Sequence, residues 1–283
     1  MRLQSNLAAP LRLNAPTRQL ASRKDWRCGY SSHVVGTERS TDLLGGIRVL
    51  DLATERAELA GRTLADLGAE VIKIEPPAGA RARGLPPFDQ GDDGDSLYWA
   101  ALGLGKRSVV LDLEMPAEIA VLRRLISAAD VLIESFDPGV MRLRGLDYES
   151  LRTDQPGLIY VSVTPFGQTG PAALTPATDL TLEAAGGLLG LQGDADRPPV
   201  PVGYPQAALH AGLQAAADTI IALNERDHSG QGQHLDVSMQ AAMVWTLMHA
   251  TGFPPNTGAD PPFTGATRTW PPPDLVAGVA VPR

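Results

Sequence analysis

The stretch IRVLDLATERAELAGRTLADLGAEVIKIE, residues 47–75, decides the fold class of this chain. It opens with a short apolar run, continues with Leu59, Leu64 and Leu67 at helical spacing, and after Gly68 returns to an apolar run. Short apolar runs bounded by a glycine are typical of buried strands, and the leucine spacing is typical of a helix. The stretch therefore predicts a strand–helix–strand unit with parallel strands.

The same alternation continues toward the middle of the chain. Apolar runs at 106–113, 130–136 and 158–167 predict further strands, and helical patterns occupy 116–129 and 148–156 between them. Strands that alternate with helices in this way indicate parallel βαβ units. We therefore expect an α/β fold with a Rossmann-like, doubly wound parallel sheet.

Beyond Pro171 the pattern is mostly helical, with a long helix-compatible run at 207–227, and the last thirty residues contain eight prolines. The sheet is therefore expected to be incomplete and to carry a helical C-terminal extension. The predicted parts are a disordered or spurious N-terminal extension (1–43), an α/β domain (44–205), a helical segment (206–250) and an irregular proline-rich tail (251–283).

The N-terminal extension is rich in Arg, Ser and Ala, with Asp25 as an isolated acidic residue in its first 32 positions. This composition resembles a transit peptide, and a disordered tail or a misassigned start codon is the alternative.

The whole chain of 283 residues has a formal charge of −8 and one cysteine, Cys28. Its acidity argues against a broad nucleic-acid surface, and the low cysteine content fits a reducing compartment. No apolar run approaches the roughly 20 residues that span a bilayer. We expect a cytoplasmic protein without a nucleic-acid or membrane partner.

Several familiar catalytic patterns are missing from the sequence. The predicted unit ending in Glu75 imitates a dinucleotide-binding domain, but its turn reads ATERAELAG and lacks the G-x-G-x-x-G glycines. The five histidines form no H-x-x-x-H or H-E-x-x-H pair, and no G-x-S-x-G nucleophile elbow occurs. No metal site is predicted.

One carboxylate is placed unusually, in TPATDLTLEAAGG, where Asp179 follows a proline-broken loop and precedes a helical pattern. Aspartate at such a position commonly caps the helix that follows. A carboxylate between a loop and a glycine-containing segment can also perform chemistry. The residues alone leave both interpretations open.

Seven short segments follow one another along the chain: GGIRVLDLA, LADLGAEVIKIEPP, GKRSVVLDL, ADVLIESFDPG, LIYVSVTPFGQTGP, ATDLTLEAAGG and SGQGQHLDVSM. In this order they resemble the family III CoA-transferases, which include formyl-CoA and carnitine CoA-transferases and the related α-methylacyl-CoA racemases. The resemblance covers about residues 44–250. It implies that residues 44–205 are a Rossmann-like large domain and that 206–250 are a helical linker toward a small domain missing from this chain. It also implies an interlocked homodimer.

The resemblance also implies a reaction, in which CoA moves between an acyl-CoA thioester and a carboxylic acid. Asp179 matches the family's catalytic aspartate, which attacks the thioester to form an acyl-aspartyl anhydride and then an aspartyl-CoA thioester. Gly186 and Gly187 are candidates for bringing backbone N–H groups to the thioester oxygen. CoA is then a substrate, and no cofactor is bound permanently.

The phosphates of CoA require local positive charge, and the resemblance implies where it lies. Lys106 matches the lysine that contacts CoA in the family. Arg81 and Arg83 follow the KIEPP segment, as does the family's arginine. Arg142 and Arg144 flank the position of another CoA-binding arginine. These five residues are the predicted CoA-binding set.

The chain departs from the family pattern at several places. The usual AGP after the first strand is absent, and Ala208 stands where a carboxylate is usual before the long helix. Thr178 replaces the histidine that precedes the aspartate in the racemase branch, which disfavours the alternative of an acyl-CoA racemase or epimerase. The match ends near the expected entry to the small domain, so a C-terminal truncation is expected. An inactive remnant that at most binds CoA is the remaining alternative.

Overall fold

A parallel β-sheet of six strands forms the centre of the computed structural model, which describes residues 43–89, 94–193, 196–248 and 258. The strands are β1 (Arg48–Leu52), β2 (Glu70–Glu75), β3 (Arg107–Val110), β4 (Val131–Glu134), β5 (Ile159–Thr164) and β6 (His234–Ser238). The helices are α1 (Glu58–Asp66), α2 (Leu97–Leu102), α3 (Pro116–Ile126), α4 (Val140–Leu143), α5 (Tyr148–Leu151), α6 (Asp179–Ala185), α7 (Gln206–Ser229) and α8 (Met239–Thr246), with 3₁₀ turns at Arg81–Gly84 and Leu189–Leu191.

The strand order is β3-β2-β1-β4-β5-β6, and every pairing between these strands is parallel. The chain winds outward from β1 to β3, then crosses back through α3 to β4 beside β1 and winds outward in the other direction. This is the order of a doubly wound Rossmann-like sheet. The predicted α/β fold is confirmed.

Apolar side chains from both faces of the sheet form two cores. One core lies under α1, α6, α7 and α8, and the other lies mainly under α3. Helix α7 crosses α1 at Gly212, where an added Cβ would be 2.9 Å from the Cβ of Leu59. The close crossing brings the long α7 against the centre of the sheet, so its first turn lies near the carboxyl ends of the strands.

Strand β6 was missed by the sequence prediction, which treated the chain beyond Pro171 as mostly helical. Its five residues pair with β5 in the register Val161↔Leu235. The segment HLDVS has too few apolar residues to mark a strand by itself, and the pairing with β5 supplies its backbone partners. The predicted domain boundaries stay a prediction.

Most of the predicted N-terminal extension and proline-rich tail lie outside the described residues. Within the described part of the chain, none of the helices has both the length and the apolar character needed to cross a bilayer.

Candidate functional site

A cleft of about 750 Å³ lies at the carboxyl ends of β1, β2 and β4. This is the edge where the winding direction of the sheet reverses, between β1 and β4, and ligands of doubly wound folds bind at such a point. The cleft is lined by residues 52–54, 73–76, 78–81, 83–84, 111–114, 136 and 144.

Two hydroxyl side chains join the strands at this reversal point. The N–H of Thr54, just after β1, donates to Ser135 Oγ at 2.7 Å, and the two hydroxyl oxygens are 2.9 Å apart. Ser135 follows β4 and is fully buried. The pair fixes the turn after β1 against the end of β4.

Three of the predicted CoA-binding arginines line the cleft, namely Arg81, Arg83 and Arg144. The Arg81 side chain is 77% exposed and pairs with Glu55 at 3.0 Å. Arg144 pairs with Glu114 at 2.5 Å, and its Nη1 is buried without a hydrogen-bond partner among the described residues. Arg81 therefore presents an exposed guanidinium to the cleft, whereas the guanidinium of Arg144 is already paired with Glu114.

A bidentate ion pair with Glu75 holds Arg83 at the floor of the cleft. Its Nε and Nη2 donate to the Glu75 carboxylate at 2.6 and 2.8 Å, and its guanidinium lies 4.2 Å from the ring centre of Trp99. Burial opposes ionisation of Glu75, but hydrogen bonds from Arg83, Ser108 and the Ala80 N–H outweigh it and hold its pKa at about 2. The floor of the cleft stays ionised at neutral pH.

Arg142 does not join the other arginines. It lines a separate cavity of about 350 Å³, together with Glu134, Tyr148, Ser162 and His234. In that cavity Ser162 Oγ lies 2.9 Å from His234 Nε2. The structure therefore separates Arg142 from the cleft that holds Arg81, Arg83 and Arg144.

Lys106 lies inside the protein, in a ring of alternating charges with Asp51, Glu58 and Lys73, called the ion ring below. Its ammonium is 2.7 Å from Asp51 Oδ2 and 2.6 Å from Glu58 Oε2, and its side chain is 1% exposed. Burial lowers the pKa of Lys106, but the two carboxylates more than compensate and raise it. In this conformation the ammonium offers no surface to a phosphate. Sequence reasoning did not single out the other three members.

Asp179 is the first residue of α6, and the helix is capped by its neighbour Thr178, whose hydroxyl accepts from the Thr181 N–H at 3.3 Å. The cap interpretation of Asp179 therefore fails for α6. Its Oδ1 instead accepts from the Ala208 N–H in the first turn of α7, at 3.0 Å. Its Oδ2 is buried and has no hydrogen-bond partner among the described residues. One carboxylate oxygen is hydrogen-bonded, and the other is buried and unpaired within the described part of the chain.

Gly186 and Gly187 lie at the opposite end of α6 from Asp179. Their N–H groups donate to Leu182 O at 2.8 Å and to Ala184 O at 3.1 Å. The structure does not bring these glycines to the carboxylate, and their donors already have acceptors. Gly186 instead allows close packing of α8, since an added Cβ would be 2.5 Å from the Cβ of Met243.

A tyrosine that sequence reasoning missed contacts the turn after β1. The Tyr98 hydroxyl donates to Glu55 O at 3.1 Å, and its ring centre is 6.2 Å from that of Tyr204. Burial raises the pKa of Tyr98, as do nearby negative charges that include the Asp179 carboxylate. Tyr98 follows a loop and belongs to no motif, so only the fold reveals its position.

The sequence model of the family described as "CoA-transferase family III" matches residues 44–277. The chain belongs to CoA-transferase family III. The predicted family membership is confirmed.

Relatives within CoA-transferase family III support the same assignment. The chain is 43% identical over 203 residues to a succinate–glutarate CoA-transferase of Agrobacterium fabrum, covering 69% of this chain and 50% of that protein. It is 37% identical over 214 residues to a succinyl-CoA–D-citramalate CoA-transferase of Chloroflexus aurantiacus, covering 74% and 52%. The chain thus spans about half the length of these curated relatives.

A solved structure in CoA-transferase family III has the same fold. A CaiB/BaiF family protein from Brucella suis superposes with a TM-score of 0.73 at 37% identity, covering 77% of this chain and 58% of that one. The similarity therefore covers most of this chain and leaves a large part of the solved protein unmatched.

Proposed function

We propose that this chain carries the CoA-ester-binding part of an enzyme that moves CoA between an acyl-CoA and a carboxylic acid. The cleft at the reversal point of the sheet, with its guanidinium groups, is the observation that carries the proposal. Relatives named as succinate–glutarate and formyl-CoA:oxalate CoA-transferases support the reaction class. The acyl group and the acceptor acid are left open.

The cleft suits the phosphates of CoA in size and charge. Its volume of about 750 Å³ is within the range of small-molecule sites. Arg81 supplies an exposed positive charge, and Arg144 adds a second guanidinium to the lining of the cleft. CoA is bound as a substrate that arrives and leaves as a thioester. Arg83 contributes less directly, because its Nε and Nη2 already donate to the Glu75 carboxylate.

Asp179 is the proposed nucleophile for the transfer step. Its unpaired Oδ2 attacks the thioester carbonyl carbon, the carbon–sulfur bond breaks, and CoA leaves as a thiolate. The thiolate then attacks the aspartyl carbonyl of the anhydride, which forms the aspartyl-CoA thioester and releases the first acid. The second acid attacks that thioester and leaves with CoA by the same two steps in reverse. The first turn of α7 holds the other oxygen, Oδ1, through the Ala208 N–H.

Trapping of the enzyme-bound acyl group tests this role. Protein incubated with succinyl-CoA and then hydroxylamine should carry a hydroxamate on Asp179, located by peptide mass spectrometry. Asp179→Asn should lose the adduct and lower transfer to glutarate by a factor on the order of a thousand. Asp218→Asn makes the same change at an α7 residue that bonds Gln214, and it should leave both signals intact. A fully active Asp179→Asn protein would rule out the mechanism.

A second candidate is a protein that binds CoA esters without transferring CoA. The favouring observation is that Ala208 stands where the family resemblance expects a carboxylate, and its N–H occupies Asp179 Oδ1. This candidate predicts CoA binding by calorimetry with no hydroxamate.

Racemisation is the weaker chemistry for this site, because Thr178 in the racemase histidine position uses its hydroxyl to cap α6. Uptake of deuterium at the α-carbon of 2-methylacyl-CoA in heavy water would favour it.

We also propose an interlocked homodimer in the cytoplasm, as the family resemblance and the single cysteine suggest. Sedimentation of the protein together with fractionation of its native cells tests both points.

A further inference from the structure

The ion ring lies beneath the cleft and is closed to solvent. The Lys73 ammonium is 3.3 Å from Asp51 Oδ1 and 2.6 Å from Glu58 Oε1. Lys106 contacts the second oxygen of each carboxylate at 2.7 and 2.6 Å. Each lysine thus contacts both carboxylates, none of the four side chains is more than 1% exposed, and the formal charges cancel. Buried charges are tolerated under such pairing.

The ring binds the backbone of the β1–α1 turn, residues 53–57, at both ends. At its start, the Ala53 N–H donates to Asp51 Oδ1 at 2.9 Å, and the Lys73 ammonium donates to Ala53 O. Just past its end, the Lys106 ammonium donates to Glu58 O at 2.8 Å. Charges from β1, from β2, from α1 and from the residue before β3 therefore determine where this turn lies.

The turn carries residues of the cleft. Ala53 and Thr54 line it, and Thr54 makes the hydroxyl contact with Ser135 at the reversal point of the sheet. Lys73 reaches the cleft floor from the ring itself. A shift of the turn would therefore move the cleft wall where β1 and β4 diverge.

Helix α1 packs over the ion ring. Gly61 packs against it so closely that an added Cβ would overlap Asp51 Oδ2 and lie 3.2 Å from Lys106 Cε. A phosphate could reach the Lys106 ammonium only if α1 moved off the sheet. A ring of buried ion pairs also adds little stability over apolar side chains of the same size. Its geometry, more than its energy, distinguishes it from an apolar core.

We propose that Lys106 and Glu58 are positioning residues of the cleft, which fix the β1–α1 turn and do not contact a CoA phosphate. The proposal rests on the proposed CoA site in this cleft. It differs from the role that the family resemblance implies for Lys106, which is direct contact with CoA.

Dependence of CoA binding on salt separates the two roles. In Lys106→Gln we expect CoA to bind roughly ten- to a hundredfold more weakly, the usual effect of losing an orienting partner. The factor should be the same at about 0.02 M and about 0.5 M salt, because salt screens charge contacts to ligands but not a displaced turn. The double variant Lys106→Gln/Glu58→Gln removes one charge of each sign and should recover most of the affinity. Arg107→Gln, a neighbouring charge change at a side chain 71% exposed, should stay within about twofold of the wild type.

A loss of affinity confined to low salt, with no recovery in the double variant, would show that Lys106 contacts a phosphate and would overturn the proposal. If Lys106→Gln does not fold, the double variant alone decides. Binding of CoA at wild-type strength without the ammonium supports positioning, and a salt-dependent loss contradicts it.

Hydrogen exchange in the ligand-free protein tests the turn independently of CoA. The amides of Thr54 and Arg56 should exchange faster in Lys106→Gln, return toward the wild-type rate in the double variant, and leave the amides of β5 unchanged. Unchanged exchange at the turn would contradict the proposal. If the wild type fails to bind CoA while the exchange result holds, the proposed function fails and the anchoring of the turn stands.

Discussion

The buried carboxyl group of Glu134 makes the free energy of unfolding depend on pH in a defined window. Glu134 ends β4, is 3% exposed, and accepts from the Phe136 N–H at 2.8 Å. Burial, reinforced by the negative charge of Asp236, raises its pKa from 4.5 to about 7, against a hydrogen bond from Ser162 and the charge of Arg56. The folded protein therefore keeps a proton here that the unfolded chain releases.

The sign of the effect follows from that proton. The contribution of Glu134 to the free energy of unfolding is largest below about pH 4.5. It falls as the pH rises and shows no further change above about pH 7. The difference between the two pKa values corresponds to about 3 kcal/mol, at about 1.36 kcal/mol per pH unit. Glu134→Gln places an uncharged amide where the protonated carboxyl group lies. The free energy of unfolding of the variant, relative to that of the wild type, should therefore increase by about 3 kcal/mol from about pH 4.5 to about pH 8.

Urea unfolding followed by circular dichroism at the two pH values measures this difference. Glu149→Gln removes the same charge from a side chain that is 65% exposed, and its stability relative to the wild type should change by less than about 0.5 kcal/mol. A gain for Glu134→Gln that is equal at both pH values would refute the reasoning, because a packing effect does not titrate.

Two further substitutions test the packing of α1 and the charge in the cleft floor. Gly61→Ala should destabilise the protein by about 3 kcal/mol or more in urea unfolding, because the new methyl group would overlap the Asp51 carboxylate inside the ion ring. Gly190→Ala, whose new Cβ meets open space, should have an effect below about 1 kcal/mol, and equal losses in both variants would contradict the account. Arg83→Gln should raise the pKa of Glu75 from about 2, so acid unfolding, followed by fluorescence, should begin at higher pH than in the wild type. An unchanged acid transition would show that Glu75 does not control it.

Much of the fold could be predicted because buried parallel strands appear in sequence as short apolar runs. Strands β1, β2, β4 and β5 are almost wholly buried, and each was predicted within a few residues. Strand β6 lies at the sheet edge, where half-exposed positions need fewer apolar residues, so its sequence looked like part of a helical region. Local pattern therefore sufficed for the central strands and for the edge strand β3, and it missed the edge strand β6.

The candidate site was predictable in composition but not in arrangement. The sequence by itself determined the α/β class, the family and the presence of Asp179 and several basic residues, because these depend on local periodicity and on ordered segments. Only the tertiary structure decided that Asp179 meets Ala208, 29 positions away, and that Lys106 is enclosed by Asp51 and Glu58. Whether a charged side chain faces solvent or a buried partner depends on which helix packs over it. That choice is made by contacts between distant segments, and no local spacing encodes it.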